Sequence, residues 1–213
     1  MKNILDILKE TRAIITDDHF VYTSGNHGSV YVNKDAIYPH TEKVSEVGSM
    51  FAERVKDKDI DVVVGPMIGG IILAQWTAYH LSKLKGKEIL GVYTEKDAQN
   101  NQVFGRRGYD ALIPKKNIFI VEDLTTTGAS VKKVVNTVKS AGGNVTMVGV
   151  MINRNPKEVN EQFMEAPFFS LGEFEAQAFD QKDCPLCKQG VPINTKIGHG
   201  KKFLEESPRS DLN

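Results

Sequence analysis

Hydrophobic positions along this chain take turns between two rhythms. Residues 60–64, 89–93, 118–121 and 145–152 are compact β-prone runs with few polar breaks, the pattern of strands buried on both faces of a parallel sheet. Between them, Val44, Val47, Phe51, Ala52 and Val55 keep the spacing of one helical face, as do Ile71, Ile72, Ala74 and Ala78, and again Val131, Val134, Val135 and Val138. Strands alternating with helices predict an α/β fold: a doubly wound, mostly parallel sheet with helices on both faces, in a single domain over residues 1–213. The two ends depart from this rhythm. Residues 2–13 read as an amphipathic helix through Ile4, Leu5, Ile7 and Leu8. Residues 20–23 and 30–32 are short β-like runs separated by the turn-forming Ser24-Gly-Asn-His-Gly-Ser29, a hairpin or loop outside the βαβ pattern. Residues 168–171 begin a shorter β-like tail, and residues 200–213, with no apolar period, read as a frayed end.

Composition acts mainly by exclusion. The 213 residues carry 27 Lys plus Arg against 27 Asp plus Glu, so no global charge attracts nucleic acid or an anionic membrane. The start, Met1-Lys-Asn-Ile-Leu-Asp, lacks the apolar core of a signal peptide, no apolar run reaches spanning length, and the expected location is the cytoplasm. Two cysteines do not make a secreted disulfide framework.

The run at residues 118–121 leads straight into Glu122 and Asp123, at the carboxyl end of a predicted strand, the edge where open α/β sheets bind ligands. Thr125, Thr126, Thr127 and Gly128 follow, then a helix start at Ala129 and Ser130. Hydroxyls together with N–H groups that lack intrahelical partners form an anion cradle. Carboxylates repel phosphate, so the two acids are suited to neutral hydroxyls and the threonine loop to the anion beside them. Hydroxyls next to a phosphate describe a sugar phosphate. No Gly-Lys-Ser/Thr completes a Walker loop, and no Gly-x-Gly-x-x-Gly follows a strand. A second loop, Gly65-Pro66-Met-Ile-Gly69-Gly70, ends another predicted strand with glycines that permit close backbone approach to a ligand.

The stretch Val121-Glu-Asp-Leu-Thr-Thr-Thr-Gly-Ala-Ser130 resembles the phosphoribosyl pyrophosphate (PRPP) signature of type I phosphoribosyltransferases, and the order Phe20, Ser24-Gly25, Tyr31, Asn33-Lys34 resembles that of the orotate-using members. The resemblance implies a small hood subdomain, mainly from residues 1–40 with a contribution from 165–199. It implies transfer of ribose 5-phosphate from PRPP to orotate, giving orotidine 5'-monophosphate and pyrophosphate, with Mg2+ bridging pyrophosphate oxygens and ribose hydroxyls. Glu122 and Asp123 then orient the ribose, residues 125–130 hold its 5'-phosphate, and Gly65, Pro66, Gly69 and Gly70 cradle pyrophosphate. Tyr31 and Lys34 belong to the base side; on the residues alone, Tyr31 is equally a half-buried strand aromatic. The polar segment 94–108 resembles the family's flexible catalytic loop, which often reaches the neighbouring subunit of a dimer; its Lys96, Arg106 and Arg107 carry charge to neutralise pyrophosphate, or are solvated surface charges. Arg154, after the strand at 145–152, has the planar fork that captures a carboxylate and matches the family's base-carboxylate arginine, or is a surface charge. Thr23 and Gly28 leave a purine base open as the acceptor, and a PRPP-sensing regulator without turnover is the reading from another class.

Cys184-Pro-Leu-Cys187 stands apart from this chemistry. Its spacing suits a redox pair or a zinc site, but a closed zinc site needs four ligands and only two are local. His199 is the nearest candidate third ligand, or two subunits each contribute a pair.

Overall fold

The computed structural model describes residues 3–22, 24–175 and 177–206; Thr23 and the residues after 206 lie outside them. Helix α1 (Ile4–Glu10) is followed by four two-residue strands, β1 (Ile14–Ile15), β2 (Phe20–Val21), β3 (His27–Gly28) and β4 (Tyr31–Val32). A 3-10 turn at Lys34–Ile37 leads into α2 (Thr41–Arg54). Then come β5 (Val62–Pro66), α3 (Gly69–Lys85), β6 (Leu90–Lys96), β7 (Gln102–Val103), a 3-10 turn (Tyr109–Leu112), β8 (Asn117–Thr125), α4 (Ala129–Ser140), β9 (Asn144–Asn153), α5 (Glu161–Met164) and β10 (Phe168–Glu173). Short helices α6 (Pro185–Lys188) and α7 (Gly200–Glu206) complete the described chain.

The chain divides into two compact units, one holding the residues up to Ile7 and Asp35–Glu175, the other Leu8–Lys34 and the residues after Glu175. In the first unit six strands line up in the order β10-β9-β8-β5-β6-β7, parallel except for β7. Successive side chains of a strand point to opposite faces, and the sequence uses both. Val62, Val64, Ile118, Ile120, Val148 and Val150 form one cluster with Val131, Val134, Val135 and Val138 of α4. On the other face Phe51 of α2 meets Phe119 and Phe169 at ring separations of 6.1 Å. Each fully buried valine stabilises the fold by roughly 1.5–3 kcal/mol, so this double covering fixes β5 and β8 at the centre, with their carboxyl ends at one edge.

Four sequence expectations change here. The β-like run at 168–171 is not tail material for a hood: β10 is the edge strand of the main sheet, parallel to β9. The segment 94–108 is not one long loop either. β6 runs on to Lys96, turns, and pairs antiparallel with β7 through Glu95↔Val103 and Lys96↔Gln102. Asp97 organises the turn by accepting the N–H groups of Gln99 and Asn101, and the Asn101 N–H bond holds its carboxyl below the usual range. Below the turn the buried Thr94 hydroxyl donates to Gln102 Oε1 at 2.7 Å, and Thr137 of α4 donates to the Gln102 carbonyl at 2.6 Å. Residues 105–108, which carry Arg106 and Arg107, form a second exposed turn.

In the second unit the expected partners are exchanged. Phe20–Val21 pairs with His27–Gly28, and Tyr31–Val32 pairs instead with Ile14–Ile15. The fourth correction is at the end of the described residues, where residues 200–206 form α7 and Phe203 sets its ring edge-on to His27 at 4.9 Å. Backbone bonds tie the early and late segments of this unit together: His27 and Phe179 exchange N–H···O bonds of 2.8 Å in both directions, and Asn194 N–H donates to the His19 carbonyl at 2.7 Å.

Candidate active site

The first unit brings Tyr38, the loop after β5 and the end of β8 to one place. Glu122 and Asp123 are 7% and 3% exposed, well below what carboxylates usually tolerate without partners. Asp123 N–H donates to Glu122 Oε1 at 3.0 Å, and the Tyr38 hydroxyl donates to Asp123 Oδ2 at 2.8 Å. Gly69 is the third member. A Cβ there would collide with Asp123 Oδ2 and the Tyr38 oxygen, so this position admits only glycine while those groups keep their places. The Gly65–Gly70 loop and the Asp123 carboxylate are therefore in contact.

The turn after β8 is held from within. The buried Thr125 hydroxyl accepts the Gly128 N–H at 3.1 Å, and Gly128 takes φ +74, a left-handed conformation open to glycine, as the N-cap of α4. Thr125 is thus a brace for the turn. Thr126, Thr127, Ala129 and Ser130 are exposed at the start of a 12-residue helix, whose first N–H groups lack intrahelical partners. The positive end of the helix dipole lies at the same point.

The basic residues come from neighbouring strands. Pro66 pairs with Thr94, so Lys96 follows on the same edge as the Gly65–Gly70 loop, exposed at the end of β6. The Arg107 guanidinium lies 5.7 Å from the Tyr93 ring centre, a cation–π contact. Arg154 follows β9; its N–H donates to the Thr125 carbonyl at 2.8 Å, which sets it beside the threonine turn. Tyr31 and Lys34 belong to the second unit, where the Tyr31 ring lies 5.5 Å from Phe20. The Glu122 and Asp123 oxygens are the donor type that Mg2+ selects, one or two carboxylates beside substrate phosphates.

Tyr38 carries no motif, and sequence reasoning missed it. Its phenol is pushed far above the usual value, first by burial and then by the Asp123 charge. A pKa raised on folding stabilises the fold while the phenol is protonated in both states. That stability fades above about pH 10, where the unfolded chain's tyrosine ionises first. Tyr38→Phe is expected to cost about 1.5–3 kcal/mol at neutral pH, the loss of a hydrogen bond to a charged acceptor. The gap between variant and parent should narrow in urea unfolding at about pH 11; an equal gap at both pH values would remove Tyr38 as the partner of a charged Asp123.

Known proteins resemble this chain in sequence and fold. A family model described as the phosphoribosyl transferase domain covers residues 33–178. Orotate phosphoribosyltransferase of Thermotoga maritima is 35% identical over 199 residues, covering 93% of this chain and 100% of that protein. The orotate phosphoribosyltransferase of a Thermoanaerobacter species is 36% identical over 193 residues, covering 90% and 94%. Among solved structures, Mycobacterium tuberculosis H37Rv orotate phosphoribosyltransferase shares the fold at a TM-score of 0.66 and 20% identity, covering 81% of this chain and 97% of that one. No helix among the described residues is long and apolar enough to cross a membrane.

Proposed function

This chain belongs to the phosphoribosyltransferase family, and on that premise we propose that it transfers ribose 5-phosphate from PRPP to orotate, releasing pyrophosphate, in pyrimidine nucleotide synthesis in the cytoplasm. The observation that carries this reading is the meeting of Asp123, Tyr38 and Gly69 beside the threonine turn, with Arg154 hydrogen-bonded to that turn. In the reaction the bond from the ribose anomeric carbon to pyrophosphate breaks, positive charge develops on the sugar, and a ring nitrogen of the base forms the new bond as its N–H proton is released to solvent. Fixed negative charge beside the sugar stabilises that state most when it is shielded from water, and Glu122 and Asp123 are such charges. They accept the ribose hydroxyls, and Tyr38 restricts how Asp123 turns. Thr126, Thr127, Ser130 and the α4 amides hold the 5'-phosphate while Thr125 and Gly128 keep the turn in shape. The Gly65–Gly70 loop receives pyrophosphate, and Lys96 and Arg107 balance its charge. Magnesium, when bound with PRPP, adds further neutralisation of the pyrophosphate, and the buried carboxylates supply protein oxygens of the right kind for it.

Arg154 sets the acceptor: orotate carries a carboxylate, and adenine, hypoxanthine and uracil do not. On the family resemblance Tyr31 and Lys34 serve the base side and the working unit is a homodimer, which sedimentation of the purified chain checks. The deciding experiment incubates the chain with PRPP, Mg2+ and each of the four bases and follows pyrophosphate release. Release with orotate alone is expected. Release with a purine would move the acceptor, and PRPP binding with no release for any base would turn the protein into a sensor.

A further inference from the structure

We propose that the second unit contains a structural zinc site made by His19, His27, Cys184 and Cys187. Their donor atoms all lie within 4.8 Å of one another. His19 Nε2 is 2.9 Å from His27 Nδ1, 3.7 Å from Cys184 Sγ and 3.8 Å from Cys187 Sγ, and Cys187 Sγ is 3.3 Å from His27 Nδ1. A tetrahedral zinc with bonds of about 2.3 Å to sulfur and about 2.0–2.1 Å to nitrogen sets edges of about 3.4 Å between nitrogens and about 3.6 Å from nitrogen to sulfur. The observed separations scatter around those edges. Both histidines and Cys184 are essentially inaccessible to solvent and Cys187 is partly covered.

The surroundings prepare the donors. His19 Nδ1 lies 2.8 Å from the Val191 carbonyl, which can only accept; Nδ1 therefore carries the proton, and the Nε2 lone pair faces the other three groups. Without a cation that lone pair meets one imidazole and two thiols, which are weak donors; a cation satisfies all four groups at once. Cys184 stands in extended conformation at the N-cap of α6, Pro185 follows, and Cys187 comes round one helical turn later, which aims both sulfurs to one side. His19 precedes β2 and His27 begins β3, and the backbone bonds from Phe179 and Asn194 pin them to the late segment that carries the cysteines.

One ion of borderline softness, tetrahedral between two sulfurs and two nitrogens, is zinc. A two-iron cluster places its cysteine and histidine pairs on different irons, more room than donors within 4.8 Å leave. A redox Cys-x-x-Cys presents its first thiol to solvent, and Cys184, the first of this pair, is buried. On binding, the two thiols ionise and release their protons to solvent, so Zn2+ with two thiolates is net neutral and suited to burial. The need is physical: the strands of this unit are two residues long and its helices short, and small cores of that kind are held by staples. His199, the sequence candidate for third ligand, is not a member of the cluster.

The test uses the untagged full chain, purified anaerobically without chelator from zinc-supplemented cells. Elemental analysis is expected to find about one zinc per chain, and X-ray absorption to find two sulfurs at about 2.3 Å and two nitrogens at about 2.0–2.1 Å. His19→Ala and Cys187→Ser should lose most of the metal and His199→Ala keep it. If those variants fail to fold, Co2+ added to the stripped parent decides: tetrahedral visible bands with thiolate charge transfer are expected. No retained metal together with no cobalt spectrum would overturn the proposal, as would a shell without sulfur, iron in place of zinc, or a Cys184–Cys187 disulfide in the anaerobic protein.

Discussion

Asp123→Asn should lower kcat/KM for PRPP by about 10²-fold while the protein unfolds at nearly the parent temperature. A hydrogen bond to a charged group contributes about 1.5–3 kcal/mol, and each 1.4 kcal/mol is about tenfold. Asparagine keeps the size and one acceptor, so Tyr38 retains a partner and Gly69 retains its neighbour. It lacks the charge that opposes the developing positive charge of the sugar, and it turns one acceptor into a donor. The loss should therefore fall on kcat as well as on binding. Steady-state kinetics with varied PRPP, set beside thermal unfolding, measures both; an unchanged kcat/KM would take Asp123 out of the reaction.

Arg154→Ala should raise the KM for orotate by about 10²-fold and leave the KM for PRPP nearly unchanged, because the lost contact is a forked, charge-assisted pair with a carboxylate that only the base carries. Arg154→Lys keeps the charge but not the fork and should fall between the two. The backbone bond from Arg154 to Thr125 survives either substitution, which protects the phosphate turn. Equal losses for both substrates would mean that the arginine supports the turn and does not read the base.

The central layer of this fold was legible because its signals are local. β8 and α4 announce themselves through a run of buried apolar residues, two acids, a hydroxyl-rich turn and valines at helical spacing, all within neighbours in the chain. The second unit was illegible for the opposite reason: strands of two residues contain no period, so nothing in residues 14–32 shows that Tyr31 pairs with Ile15 and not across the nearer turn. The β6–β7 hairpin was hidden by buried polar groups, since Thr94 and Gln102 look like loop residues until each is seen to satisfy the other. Its one signal was Asp97 with Asn100 and Asn101, a turn cluster inside a stretch read whole as a lid. The histidines of the cysteine cluster lie 165 and 160 positions from Cys184 and Cys187, and no spacing rule spans such a gap. What remained readable was that a pair of cysteines wanted partners, for which the sequence offered His199 in place of His19 and His27.

The stitching of residues 8–34 to the residues after Glu175 has a consequence for how the chain is made. During synthesis the β2–β3 hairpin leaves the ribosome before the sheet strands, but Phe179, Asn194 and Phe203, which hold it, leave after them. The parallel sheet between them can assemble while the hairpin still waits with its histidines unanchored. The strands of the sheet are therefore complete before the β2–β3 hairpin can be anchored, and a ribosome stalled just before Phe179 would hold a finished sheet with an unanchored hairpin.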